Sequence, residues 1–271
     1  MTAGLLVFPV PATPIEPADS VDAMLFITVA LAFGLSFLFA LGGIGSAIAL
    51  VPALHWLGVP FAAAKPTGLM VNTLSMTGAS YSNIKNRRLD FRVGLPIIIA
   101  SAVLAPVGAW CTTIVPKSAV IAVFTGFLVF SGAMLLFYRG GKHADRYRED
   151  RPVAGPAIIG AAAGFLSGLL GVGGGGLISP LLIFMGFNPK KVAAITAFTV
   201  PFSSFIGFVA YAMMGTVQWR VLIPASLAAY GGGFLGTGFM QGRLQPGTVK
   251  KFLGVVLFGL AAKLIVELVG G

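Results

Sequence analysis

The chain has 271 residues, 57% of them hydrophobic and only 10% charged, with 18 Lys and Arg against 8 Asp and Glu. A soluble chain carries roughly 25% charged residues, and the mean hydropathy of +0.95 also excludes a Gly/Pro-rich disordered chain. One cysteine, Cys111, and two histidines, His55 and His143, exclude a disulfide framework and a Cys- or multi-His metal centre. No cofactor is expected. The net charge of +10 does not imply nucleic acid, because membrane proteins concentrate Lys and Arg in their loops and no soluble domain remains to hold such a site.

Residues 1–22 lack a basic start, and Pro9 and Pro11 interrupt their apolar stretch, so they predict a flexible tail rather than a signal peptide. The uncharged run 23–64 then holds 42 residues, and the run 152–189 holds 38. At ~1.5 Å per residue each is about twice a ~30 Å hydrocarbon core. Each also contains a glycine cluster where a helix can stop and reverse: Gly42-Gly43-Ile44-Gly45 and Gly171 to Gly176. The segments after these clusters, 46–57 and 177–187, span about half a membrane and predict half-helices tolerated only where they line a cavity. In the later helix entry Lys65-Pro66-Thr67, Pro66 reads as a first helical position. The hydrophilic stretch 139–154 predicts a cytoplasmic linker between a first repeat, 23–138, and a second, 155–269.

The two repeats are visible at an offset of 128. Gly43/Gly171, Gly45/Gly173, Pro52/Pro180, Gly58/Gly186, Pro96/Pro224 and Gly108/Gly236 are identical pairs. With one inserted residue Thr67, Ser75 and Gly78 meet Thr196, Ser204 and Gly207. If both long runs are hairpins, each half has five membrane elements, and an odd number inverts the second half. That arrangement, with the N-terminus outside, places 14 Lys and Arg in inner loops against Lys65, Lys117 and Arg220 outside. A four-plus-four arrangement gives 10 inside and 7 outside. The positive-inside rule favours the inverted repeat. The fold expected is an all-α polytopic membrane protein built from two inverted repeats with re-entrant, glycine-rich half-helices.

The carboxylates lie in the tail, in loops, or near the C-terminus at Glu267, and none is in mid-span. No paired aspartates, Ser/His/Asp arrangement or HExxH can be assembled, which excludes an intramembrane enzyme. Cation and proton carriers generally hold an intramembrane Asp or Glu, so their absence also points to an anion. Helix N-termini carry partial positive charge and free N–H groups, and inverted-repeat transporters aim them at anionic substrates. The glycine run at 171–176 has no GK[ST] and no strand context, so it is not a phosphate loop. Close helix packing competes with a broken helix as its explanation. The candidate anion-binding set is Gly43, Gly45, Ser46, Lys65, Thr67, Asn72, Ser75, Gly173, Gly174, Gly175, Gly176, Thr196, Thr199 and Ser203. Thr196, Thr199 and Ser203 share one helix face, as do Asn72 and Ser75. Lys65 competes with a headgroup-anchoring role. His55 and Cys111 read as packing residues.

The stretch GLLGVGGGGLISPLLIFMG (168–186), with its repeat GGIGSAIALVPALHWLG (42–58), resembles the TauE/SafE sulfite exporter family of permeases. The first copy carries Ser46 and Ala47 where the second has glycines. The resemblance covers about residues 23–268. It implies secondary transport of small sulfur-containing anions such as sulfite, sulfonates or sulfoacetate across the bacterial cytoplasmic membrane, and a homodimer. A passive anion channel is the alternative, since the sequence shows no coupling-ion site.

Overall fold

The computed structural model describes residues 18–40, 42–85, 91–137, 153–187, 189–215, 217–243 and 246–270. Most of the 1–22 tail, most of the 139–154 linker, and the loop cations Arg87 and Arg88 lie outside the described residues. Within them the chain forms ten α-helices, five in each half. They are α1 (Ala18–Ala40), α2 (Ala47–Trp56), α3 (Phe61–Lys85), α4 (Phe91–Cys111) and α5 (Lys117–Phe137), then α6 (Ala154–Leu170), α7 (Gly175–Phe184), α8 (Pro189–Met213), α9 (Trp219–Arg243) and α10 (Pro246–Gly270). Helices satisfy their own backbone groups, which an apolar layer requires.

Both long uncharged runs break at their glycine clusters. The first splits into α1 and α2 and the second into α6 and α7, and the short helices α2 and α7 have ten residues each. That is about 15 Å of rise, half of a hydrocarbon core. Pro52 and Pro180 stand at the sixth residue of each. Two details differ from the expectation. Helix α1 starts at Ala18, inside the stretch read as a tail. Helix α3 starts at Phe61, so Pro66 lies in its interior and not at its first position. Pro60 opens α3 instead, its carbonyl accepting from the N–H groups of Ala63 and Ala64 at 2.9 and 3.0 Å. Lys65 is therefore carried by the second turn of an established helix.

The two halves interlock. Helix α1 packs along α9 and α6 along α4, so the first helix of each half lies on the fourth of the other. Likewise α3 packs on α9 and α8 on α4, while α3 meets α8 and α5 meets α10. Exchanging the halves reproduces the same set of partners. The identical pair Gly108 and Gly236 makes the interlock possible. A Cβ at Gly108 would collide with the Phe165 carbonyl, and one at Gly236 with that of Phe37. Phe37 and Phe165 are themselves 128 residues apart. Small residues let backbones approach where no hydrophobic force separates helix from lipid.

Outward, α4 exposes Leu95, Ile99, Val103 and Val107, and α9 exposes Ile223, Leu227 and Leu235. Such stripes would be a liability in water; in a bilayer they face acyl chains. Four stretches among the described residues are long and apolar enough to cross a membrane: Phe91–Cys111, Lys117–Phe137, Lys191–Met213 and Trp219–Phe239.

Gly108→Leu and Gly236→Leu should each destabilise the protein by at least ~1–3 kcal/mol, the usual cost of overpacking. Gly126→Leu, with open space around its Cα, should stay within ~0.5 kcal/mol. Thermal unfolding of the purified protein in detergent checks this; equal effects at all three positions would contradict the interlock.

Candidate anion site at the meeting of two broken helices

Each glycine turn uses the left-handed backbone region twice. Gly43 and Gly45 have φ of 65° and 88°, and their counterparts Gly171 and Gly173 have 74° and 73°. An L-residue there costs roughly 1–2 kcal/mol, which glycine avoids. Gly171 closes α6 with its N–H on the Ser167 carbonyl at 2.9 Å. Two residues later the chain turns again and a short helix begins. The carbonyl of Ser46 accepts from Ala49 and Leu50, and that of Gly174 from Leu177 and Ile178. Neither short helix has a side-chain cap. Ser46 instead accepts the Ser36 hydroxyl at 2.9 Å. The first two N–H groups of each short helix, at Ala47 and Ile48 and at Gly175 and Gly176, thus have no intrahelical partner, and each helix presents its positive end there.

The two turns lie against each other. A methyl group on Gly175 would stand 2.7 Å from the Ile44 carbonyl carbon and 3.0 Å from the Gly43 oxygen. One on Gly43 would stand 2.6 Å from the Ala193 oxygen, and one on Gly171 would stand 2.5 Å from Cβ of Lys65. Ala193 and Lys65 are 128 residues apart, so the contacts correspond while the side chains do not.

Asn72, fully buried on α3, sits between the turns. Cβ atoms added to Gly45 or Gly173 would both run into its amide. Its Nδ2 donates to Ser204 Oγ at 2.9 Å. Its Oδ1 has no hydrogen-bond partner in the protein, and neither has Ser75 Oγ one turn further on. An unsatisfied buried polar group costs about 1–3 kcal/mol, so both atoms are open to a ligand or water. Lys65 is also buried, 7% exposed, with its Nζ 5.5 Å from the Phe61 ring centroid and no carboxylate partner among the described residues. A buried ammonium without a counter-charge is costly. Two uncapped helix N-termini, an orphan carbonyl, an orphan hydroxyl and an unpaired cation suit an anion that also carries hydrogen-bonding groups.

The remaining candidates divide. Thr196, Thr199 and Ser203 are fully buried on α8. Thr196 accepts the hydroxyl of Ser179 on α7 at 3.1 Å, while Thr199 and Ser203 donate back to carbonyls of their own helix, at 3.3 and 3.1 Å. Thr67 does the same toward Ala63 at 3.0 Å. Gly174 lies against Ala163, and Gly176 against Phe127 and Ile48, so neither has room for a side chain. The Gly176 carbonyl accepts from Ser131 at 3.1 Å. Ser204 was not among the candidates, although the one-residue insertion that pairs it with Ser75 marks its position. No group of three or more His, Cys, Asp or Glu that could hold a metal occurs among the described residues.

A bundle of apolar helices with two half-helices meeting at a buried polar centre defines a polytopic membrane transporter, and comparison with known proteins gives its kind. Residues 28–264 match the family described as Sulfite exporter TauE/SafE, and the chain belongs to that family. It is 27% identical over 250 residues to the "Probable membrane transporter protein YunE" of Bacillus subtilis, covering 83% of this chain and 91% of the relative. It is 26% identical over 246 residues to that organism's "Probable membrane transporter protein YdhB", covering 88% and 98%. A shorter stretch of 84 residues is 36% identical to "Sulfite exporter TauE/SafE family protein 6" of Arabidopsis thaliana, covering 31% and 20%. No solved structure matches the chain significantly.

Gly45→Ala should destabilise more than Gly58→Ala. Both glycines have positive φ, 88° and 92°, but only Gly45 meets a neighbour, Asn72. Asn72→Ala should recover part of the Gly45→Ala loss, with a coupling of at least ~0.5 kcal/mol in a double-mutant cycle. Strict additivity would contradict the contact.

Proposed function

We propose that this protein is a secondary transporter of small sulfur-containing anions, of the sulfite, sulfonate or sulfoacetate class, across the bacterial cytoplasmic membrane. The observation that carries the reading is the buried meeting point of α2 and α7, where uncapped N–H groups face Asn72 of α3, with the unpaired Lys65 of the same helix packed against Gly171. Gly43, Gly45, Ser46 and Gly173 to Gly176 shape that point. Ser75, Thr67 and the α8 hydroxyls Thr196, Thr199 and Ser203 complete the proposed site. The anion replaces its hydration by fixed N–H dipoles and one ammonium. The names of the family and of its Arabidopsis members support sulfite as the first substrate to test.

The two halves are inverted in the membrane. Five elements per half, the 14-to-3 charge asymmetry and the exchangeable helix pairing support this. Closure of the meeting point by backbone contact, Gly175 on Ile44, favours a carrier that opens alternately to each side over an open pore. Homodimer formation, implied by the family resemblance, completes the proposal.

Sulfite counterflow in proteoliposomes tests the function: a carrier saturates and shows trans-stimulation, and a pore shows neither. Lys65→Ala should raise the half-saturation concentration at least about tenfold, the factor carried by ~1.4 kcal/mol, and Lys65→Arg should keep part of the affinity. Unchanged half-saturation would make Lys65 a membrane anchor. For topology, single cysteines at positions 12 and 144 in a Cys111→Ser background should label from outside and inside respectively. The reverse pattern would overturn the orientation.

A further inference from the structure

A groove of about 410 Å³ opens on the side of the bundle where α1, α3 and α9 meet, lined by Phe37, Ser82, Phe234, Leu235, Gly238 and Phe239. Its volume lies within the ~300–1,000 Å³ of ordinary small-ligand sites. Two ring pairs brace it: Phe37 against Phe239 with centroids 5.9 Å apart, and Phe234 against Tyr81 of α3 at 6.0 Å. Leu235 and Phe239 are exposed on the face that α9 turns to acyl chains. Apart from Ser82 the lining is apolar, which suits a hydrocarbon chain.

The groove lies close to a membrane surface. Lys85 stands one turn beyond Ser82 on the same helix face and closes α3, and α9 ends at Arg243, little more than a turn beyond Gly238. The Lys85 side chain is exposed and makes no ion pair among the described residues. Tyr81, one turn before it, is also exposed, and such rings collect at membrane–water interfaces. Gly238 keeps the groove open. No atom lies within 4 Å of a Cβ placed there, so packing does not require a glycine, and its counterpart in the first half is Trp110. An apolar groove with a phenol and an ammonium at its rim has the two-part chemistry that a lipid fits.

We propose that this groove binds one anionic phospholipid: an acyl chain lies along Phe37, Phe234 and Phe239, and Lys85 takes the headgroup phosphate. Basic residues beside clefts between membrane helices recognise acidic headgroups in this way. In the orientation proposed above the site faces the cytoplasmic leaflet. It does not depend on which anion is transported, since none of these residues lies at the meeting of α2 and α7. A lysine that only marks the membrane surface would attract acidic headgroups with no need of the groove, and that difference makes the site testable.

Quenching by brominated lipids tests it on the full-length protein. The reporter is Tyr81→Trp in a background without other tryptophans (Trp56→Phe, Trp110→Phe, Trp219→Phe), in nanodiscs of phosphatidylcholine. A small share of brominated phosphatidylglycerol should quench its fluorescence at least about threefold more than the same share of brominated phosphatidylcholine. Lys85→Gln should bring that ratio to about one, and Lys85→Arg should keep it. Gly238→Leu meets no neighbour, so the thermal midpoint should hold while the preference is lost with the lysine intact. Equal quenching by both lipids in the reporter protein would overturn the site. So would a preference that survives Gly238→Leu, because the lysine would then act without the groove. Quenching by neither lipid in a dimeric protein would also overturn it and give the groove to a second copy.

Discussion

A helix that stops and restarts inside an apolar layer leaves the N–H groups of the restart without acceptors, and water is not there to replace them. This chain stops two helices in that way and sets the two restarts against each other. Most other features follow from that arrangement. The turns must pass through left-handed backbone, so they carry Gly43, Gly45, Gly171 and Gly173. They must also touch, so Gly175 has no room for a side chain against Ile44. A polar group must stand between them, and Asn72 fills that place with one hydrogen bond made and one carbonyl left open. The positive ends of two helices and an unpaired lysine then give the centre a single electrostatic sense.

The near-symmetry of the halves holds that centre in position. Each half contributes its first helix to the other's fourth, with the paired glycines 108 and 236 at the closest points. The departures from symmetry fall at the proposed site. Lys65 stands where the second half has Ala193, and Asn72 has no amide counterpart on α8, which supplies Ser204 instead. A centre with two equal halves would bind a substrate in two equivalent poses. In the proposed site one lysine and one amide would select a single pose.

Much of this was legible in the sequence because it is local or repetitive. Run lengths of 42 and 38 residues required a break, glycine clusters showed where, and the offset of 128 tied the two breaks together. Lys65 and Asn72 stood out as costly residues in apolar segments. What stayed hidden depends on contacts across the chain. Nothing near Gly174 or Gly176 announces that Ala163 and Phe127 press on them. Ser204 gains its meaning only from Asn72, 132 residues away. The start of α3 was misplaced because Pro66 looked like a helix opener, whereas Pro60 already opens it and the tight bundle tolerates a proline one turn later. The Lys263–Trp56 contact joins two helices whose proximity no local pattern records.

The proposed transport depends on the free N–H groups at the start of α7 binding the anion. The most direct measurement is the nitrogen-15 spectrum of protein labelled at glycine, recorded in nanodiscs during a sulfite titration. The amide signals of Gly175 and Gly176 should shift and saturate together, while that of Gly58, beyond the far end of α2 with open space around it, stays fixed. Saturable sulfite binding with Gly175 and Gly176 unmoved would show that the anion is held elsewhere, and that the two broken helices meet for packing alone.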